Sequence, residues 1–476
     1  MTKNSFKNKR VTVMGLGLHG GGVASVNWLV KHGAIVTVTD LKSAKELESS
    51  LKKIKNLKAC RLVLGKHQTS DFKNADLIVQ NPGVPKNSQY LKIASKFGVL
   101  IENEASLFFK NCPAKIIGIT GTRGKSTTST LIYKMLQQSN LKKVAKVWLA
   151  GLPQQPMMAI LDKIKKNDLV VLELSSWQLE VLGNQKLSPQ IAVVTNIYPD
   201  HLNRYSGMNE YIEAKKNIFK FQTKIDFTIL NFDNLATKKM GGQVLGQRFW
   251  FSKKFFADQN GSFIKNDYIY FRRNGKTVKL INKNATKLKG EHNLENILAA
   301  VLVAEIFKVS GSQIKIALNN FLGLPGRIEL IKKIKGVEYI NDTTATTPDG
   351  TMAALKALLP KKIILIAGGT SKNIPNFKYQ ALAEVIKKNC QAIILLPGLG
   401  SDQILKSLKQ IGFKKILIKA PDMPKAVRIA ASLAKKDDVV LLSPACASFN
   451  LFINEYDRGD QFVTAVSKLA KVTGQN

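Results

Sequence analysis

The chain has 476 residues, 45 % of them hydrophobic, which is enough for two to four domains with substantial cores and excludes global disorder. No run of 18 apolar residues occurs, so no membrane-spanning helix is expected. The formal charge is +39, from 72 basic and 33 acidic residues, but only ten of the basic residues are Arg and the lysines are spread along the whole chain; with no dense basic tail, a solvated lysine-rich surface is expected and no nucleic-acid partner.

From the N-terminus, the basic MTKNSFKNKR precedes VTVMGL, a glycine loop, a helical run and AIVTVTD, a βαβ unit rather than a leader peptide. Gly15, Gly17 and Gly20 form G-x-G-x-x-G, and Asp40 stands twenty residues after the last of them. That spacing fits a nicotinamide-dinucleotide fingerprint, but its physics is a cradle for any nucleotide diphosphate. The strand ADLIVQ ends at the turn signal Asn81–Pro85, and a domain boundary near residue 100 is expected.

A second phosphate loop follows the strand KIIGIT. Gly121, Thr122, Arg123 and Gly124 lead into Lys125, Ser126 and Thr127, which open a helix predicted to run to about Gln138. Gly118 stands one residue too early for the strict P-loop pattern, yet a glycine turn, a lysine and a helix N-terminus meet the same need. Lys125 would supply charge to phosphates and the Ser126 hydroxyl would ligate Mg²⁺. Glu173 ends the strand DLVVLEL, and Asp200 and His201 follow the strand QIAVVTNI, so all three collect where ligand groups of α/β sheets collect. Lys215 and Lys216, in the amphipathic YIEAKKNIF, read by pattern as solvated surface charges.

Residues 225–285 alternate in short runs with an Asn-Gly turn at 274–275, and read as a β-hairpin patch inserted in the central domain. A strong helix is predicted over 289–307, and GLPGR at 323–327 reads as a linker. Beyond it the strands VEYIND, KIILIAGG, AIILLPG and DVVLLSP and the helix TPDGTMAALKALL give a third α/β unit. The expected fold is therefore α/β with three domains, at residues 1–100, 101–325 and 326–476, built on doubly wound parallel sheets. Cys60, Cys112, Cys390 and Cys446 are far apart with no C-x-x-C, so free thiols in a reducing cytoplasm are expected.

GITGTRGKSTT, VLELSSWQLE, NIYPDHLNRYSGMNEYIEAKKNIF, GEHNLENILAA, GLPGRIEL, INDTTATTP and LLSPACASFNLF occur in this order, and together they resemble the Mur ligase family over nearly the whole chain. The resemblance implies a Rossmann-like domain for a UDP-sugar, a central P-loop-type ATPase domain and a Rossmann-like C-terminal domain for the incoming amino acid. It implies an ATP-dependent ligase of peptidoglycan precursor synthesis, acting through an acyl-phosphate, with UDP-N-acetylmuramoyl-L-alanine and glutamate as substrates. The D form of glutamate is expected, with the L form and other Mur-type or folylpolyglutamate-synthase-like acceptors as alternatives. By motif position, Lys125, Ser126, Glu173 and His201 match phosphate and Mg²⁺ contacts at two metal sites. Lys215 matches a lysine carbamylated by CO₂ or bicarbonate, which overturns its reading as a surface charge. Asn293, Asn296, Arg327 and Asp342 match further ATP-site positions. Gly17, Leu18, Asp40, Asn81 and Gly83 lie in UDP-sugar motifs, and Thr346, Lys372, Ser448 and Phe449 in the amino-acid pocket. The resemblance also implies a monomer. The chain departs from the family pattern at Arg123, at Leu149-Ala150, at Thr344 and at Glu455, which replaces a usually aromatic residue. Outside this family, a nicotinamide-dependent dehydrogenase and a nucleic-acid-binding protein remain as alternatives.

Overall fold

The computed structural model describes residues 6–139, 144–152, 155–201, 204–288, 290–372, 375–449 and 451–472. Residues 1–5 of the basic N-terminus, and Lys289, the first residue of the helix predicted over 289–307, lie outside them. Among the described residues the apolar runs form three sheets, each the core of an α/β layer structure.

The first sheet holds β1 (Arg10–Met14), β2 (Ile35–Asp40), β3 (Cys60–Leu64), β4 (Leu77–Gln80) and β5 (Leu100–Glu102), all parallel, in the order β3-β2-β1-β4-β5. Strand order reverses at β1, so the crevice outside its carboxyl end is the place for a ligand. The loop that leaves β1 there is the first glycine loop, and Gly20 in left-handed conformation starts the helix Gly21–Lys31.

The second sheet holds β6 (Lys115–Thr120), β7 (Val147–Ala150), β8 (Leu169–Glu173), β9 (Ile191–Val194), β10 (Phe227–Asn231), β11 (Gln247–Ser252), β12 (Gly261–Lys265), β13 (Tyr268–Arg273) and β14 (Lys276–Asn282). Its order is β14-β13-β12-β11-β10-β9-β6-β8-β7, which puts the reversal at β6 between β8 and β9. Those three strands carry the second glycine loop, Glu173 and the Asp200–His201 segment at their carboxyl ends, so topology alone brings the three motifs to one crevice. The segment read as a hairpin patch divides in two. β10 and β11 are parallel to each other and to β9, linked by the helix Leu235–Met240, as buried parallel strands require a crossover. β12 is still parallel to β11; only the β12–β13 and β13–β14 pairs are antiparallel, and in the second the Asn274-Gly275 pair turns the chain with both residues at positive φ, as a type I′ hairpin demands.

The third sheet holds β15 (Glu329–Ile334), β16 (Val337–Asn341), β17 (Ile363–Gly368), β18 (Cys390–Leu396), β19 (Ile416–Lys419) and β20 (Val439–Leu442), in the order β15-β16-β20-β17-β18-β19. It is parallel except for β15 against β16.

The chain forms two compact units. One contains Met1–Thr286 and Leu294–Asn320, hence the first two sheets. The other contains Lys287–Asn293 and Phe321–Asn476. The helix predicted over 289–307 spans Glu291–Ile306, and its residues Ile297–Ala304 are buried all round, which is why its sequence reads as a near-continuous apolar run.

Candidate functional site

The second glycine loop is shaped by what surrounds it. A Cβ at Gly121 would stand 1.8 Å from the Thr195 hydroxyl, and one at Gly124 would stand 2.2 Å from Asn296 Oδ1; Gly124 also holds φ +83° as it caps the helix Lys125–Gln137. Only glycine fits either position. The segment after β9 fastens the loop from one side. Asn196 Oδ1 accepts the Arg123 N–H at 2.9 Å, the Thr195 hydroxyl donates to Arg123 O at 2.6 Å, and the Thr122 N–H donates to Asn196 O at 2.9 Å. Asn296 fastens it from the other, its Oδ1 accepting from the Thr128 hydroxyl at 3.2 Å. Neither Thr195 nor Asn196 was singled out by the sequence; their signal was position, at the end of a strand next to the loop.

Polar side chains converge on this loop. Lys125 Nζ lies 3.2 Å from Gly121 O and 3.9 Å from Glu173 Oε1. The Ser126 hydroxyl donates to Glu173 Oε2 at 2.6 Å. Lys215 donates to Gly121 O at 3.0 Å and to the Thr120 hydroxyl at 3.3 Å, with its ammonium 4.9 Å from the Tyr211 ring centre. The surface reading of Lys215 fails: it is 2 % exposed. Tyr211, Ala214 and Lys215 share the inward face of the helix Met208–Lys216, spaced three and four apart, whereas Lys216 reaches Glu213 at 2.6 Å. Burial and the neighbouring Lys125 ammonium push the Lys215 pKa well below the ordinary lysine range; Asp200 and Glu173 oppose this. Lys215 thus sits in a cluster of two lysines and two acids, with burial acting against its charged form.

Asp200 accepts from Arg123 Nη1 at 3.2 Å, so the Arg that departs from the family pattern is tied to the acid beside His201. His201, at φ +56°, packs edge-on to Trp177 with ring centres 5.2 Å apart. Among the described residues no group of three or more His, Cys, Asp or Glu side chains is arranged to hold a metal ion. The Ser126 hydroxyl and the Glu173 carboxylate are the paired hard oxygen donors the site presents.

The first glycine loop is organised around Asp40 and Asn81. Asp40 accepts the N–H of Gly17 at 3.1 Å and of Lys42 at 2.9 Å, one on each carboxylate oxygen. Gly15 and Gly17 pass so close to Asn81 that a Cβ would stand 2.9 and 3.2 Å from its side chain. Asn81 Oδ1 accepts the Gly83 N–H at 3.0 Å, closing the turn. Leu18, in the same loop, packs partly buried against the core. Behind the loop, Glu104 Oε1 accepts the Met158 N–H at 3.1 Å, and burial raises this carboxyl to about 7 against the opposing pull of the Met158 and Met157 N–H groups.

In the second unit, Asp342 is buried and accepts from the Ile328 N–H at 3.2 Å and the Ser443 hydroxyl at 2.7 Å. Burial raises its pKa to about 7, against those two hydrogen bonds and the Arg327 charge. Lys372 donates to the Thr346 hydroxyl at 2.8 Å, bringing two of the predicted pocket residues together. Ser448 is buried and Phe449 is 69 % exposed. The Asn293 N–H donates to Gly290 O at 3.0 Å. Arg458, unremarked in the sequence, is the largest fully buried side chain of the described residues. It donates to Thr343 Oγ1, Thr343 O and Cys446 O at 3.1, 2.8 and 3.1 Å, joining the loops that carry Thr346 and Ser448.

Three family models match the chain: "Mur ligase MurD-like, N-terminal domain" over residues 9–102, "Mur ligase middle domain" over 119–304, and "Mur ligase, glutamate ligase domain" over 326–446. Among similar curated proteins, a UDP-N-acetylmuramoylalanine–D-glutamate ligase of Roseiflexus sp. (strain RS-1) is 39 % identical over 466 residues, covering 95 % of this chain and 97 % of the relative. A ligase of the same name from Acetivibrio thermocellus is 36 % identical over 473 residues, covering 98 % of each. Among solved structures, UDP-N-acetylmuramate–alanine ligase from Thermotoga maritima is similar in fold, with a TM-score of 0.62 at 19 % identity, covering 97 % of this chain and all of the other. A pseudomurein peptide ligase type C from Methanothermus fervidus gives a TM-score of 0.57 at 20 % identity over 97 % of this chain and all of the other.

Proposed function

The chain belongs to the Mur ligase family, and on that premise we propose that it joins D-glutamate to UDP-N-acetylmuramoyl-L-alanine, with ATP cleaved to ADP and phosphate, in peptidoglycan precursor synthesis. The observation that carries the chemistry is the cluster of Lys125, Ser126, Glu173 and Lys215 around one glycine loop at a sheet's switch point. A carboxylate oxygen of the nucleotide sugar's alanine attacks the γ-phosphoryl group and ADP leaves. The glutamate amine then attacks the acyl carbon, loses a proton and expels phosphate. Negative charge spreads over the transferring group, so preorganised cations and backbone N–H groups do most of the work. Lys125 is the cation at the mouth of the loop, and the helix Lys125–Gln137 presents its N-terminus to the phosphates.

Mur ligases use Mg²⁺, and the donor set fits it: Ser126 and Glu173 offer hard oxygens, and few protein ligands suit an ion that keeps waters and phosphate oxygens. Mg²⁺ bound there would neutralise charge on the phosphates. His201 would add a ligand. Lys215 in its neutral form attacks CO₂ and releases a proton, leaving an anionic carbamate on its nitrogen; this would convert a buried lysine into a further oxygen donor, and its depressed pKa supports that chemistry.

The three domains divide the substrates. Residues 1–100 take the UDP-sugar on Gly17, Leu18, Asn81 and Gly83, with Asp40 shaping the loop through the Gly17 N–H. Residues 101–325 take ATP on the loop from Gly121 to Thr127 and on Asn296. Residues 326–476 take glutamate on Thr346, Lys372, Ser448 and Phe449. The enzyme acts as a cytoplasmic monomer, and its free cysteines suit a reducing compartment.

Phosphate release measured with the nucleotide sugar and with D- or L-glutamate in parallel tests this reading. Release that needs the nucleotide sugar and D-glutamate together is expected. Release with L-glutamate alone would change the amino acid, and none with either would overturn the activity.

A further inference from the structure

The two glycine loops are linked by a series of hydrogen bonds and close packing that runs through one arginine. Arg123 of the second loop pairs with Asp200, and the next residue, His201, accepts the Arg204 N–H on its carbonyl at 2.9 Å. The Arg204 guanidinium, 15 % exposed, lies over the Trp177 ring at 5.0 Å and donates through Nη2 to Glu180 at 3.3 Å. Its Nη1 reaches out of this segment to the turn after β4, donating to Pro82 O at 3.3 Å and Val84 O at 3.2 Å. Those carbonyls flank Gly83, whose N–H closes the turn on Asn81, and Asn81 is the side chain against which Gly15 and Gly17 pass. Arg204 therefore holds the turn from outside while Asn81 holds it from inside. The other bridge between these segments, Lys86 to Glu210 at 2.9 Å, is exposed and contributes little.

We propose that Arg204 is a positioning residue that sets the Asn81–Val84 turn, and with it the first glycine loop, in register with the phosphoryl-transfer loop. The inference rests on the reading of the first loop as the nucleotide-sugar site. Glu180 and Trp177 hold the planar fork in place, so it arrives at the turn with little orientation left to lose. Lysine keeps the charge but lacks the fork and the stacking, so it does not substitute.

The full-length chain and its Arg204→Gln, Arg204→Lys and Lys86→Ala variants test this by three readouts: steady-state constants for each substrate, calorimetric binding of UDP alone, and thermal unfolding. Both Arg204 variants are expected to raise the KM for the nucleotide sugar and weaken UDP by about 10–100-fold, the loss of two charge-assisted hydrogen bonds. The KM for glutamate should stay within about twofold and unfolding should shift by no more than a few degrees, and Lys86→Ala should behave as wild type. Unchanged UDP binding, rescue by lysine, or an equal loss for all substrates would each overturn the proposal. If the wild type binds UDP but releases no glutamate-dependent phosphate, the ligase reading fails while the UDP comparison still decides Arg204. A wild type that does not bind UDP overturns both.

Discussion

Ser126 and Glu173 are joined by a 2.6 Å hydrogen bond across the switch point of the second sheet, the hydroxyl coming from the first turn of a helix and the carboxylate from the end of β8. Forty-seven residues separate them in the chain. The bond places an oxygen pair beside Lys125, and the first predictions concern that corner of the site.

Lys125→Ala removes the cation at the mouth of the loop. Turnover should fall by about 10²–10³, the loss of one strong transition-state donor, with unfolding little changed. Coupled measurement of ADP release checks this; activity within threefold of wild type would remove Lys125 from the phosphoryl-transfer step.

Lys215 should take up CO₂. Burial and the Lys125 charge lower its pKa well below the ordinary lysine range, which raises the share of the nucleophilic free amine above that of an exposed lysine. Wild type incubated with ¹³C-bicarbonate should show a carbamate carbonyl resonance that Lys215→Gln lacks. The same resonance in both proteins would assign it elsewhere.

Gly124→Ala faces both a left-handed backbone and a Cβ 2.2 Å from Asn296 Oδ1. The backbone cost alone is about 1–2 kcal/mol, and displacement of Asn296 also breaks its bond to Thr128. A drop of a few degrees in unfolding midpoint and a loss of ATP affinity are expected by scanning calorimetry and nucleotide titration. An Ala variant with wild-type affinity would show that the loop tolerates a side chain there.

Glu104 makes stability depend on pH. In the folded chain its carboxyl titrates at about 7 rather than 4.5. The folded state holds that proton after the unfolded state has lost it. The stabilisation is full below pH 4.5, declines as pH rises, and is gone above about 7, a span on the order of 3 kcal/mol. Glu104→Gln should flatten the fall in melting temperature between pH 4.5 and about 7. Asp342 is shifted in the same direction and stays in the variant, so a residual slope is expected. An unchanged slope would mean that Glu104 is ionised in the fold.

Local pattern made much of this legible. β1, β6, β8 and β9 were visible as apolar runs because parallel strands are buried on both faces, and the two glycine loops because glycine marks a backbone conformation other residues avoid. Lys215 shows the limit. Its neighbours are charged, so local pattern made it a surface residue, and only motif order pointed to the site. What buries it is packing of its helix against the second glycine loop, which no window of sequence around it contains. The stretch from 225 to 285 shows the same limit in the fold: alternation identified strands, but whether each pairs parallel or antiparallel depends on the connection between them.

The sequence by itself determined the α/β class, both glycine loops and the family, because these rest on residue type at fixed short spacing. The tertiary structure decided which residues meet. Asp40 turned inward to the Gly17 N–H, Arg458 was buried to join two loops of the third sheet, and Arg204 was set against the Pro82 and Val84 carbonyls 122 and 120 residues away. Such contacts satisfy backbone groups that burial would otherwise leave without partners, and where those groups lie is known only once the sheets have formed.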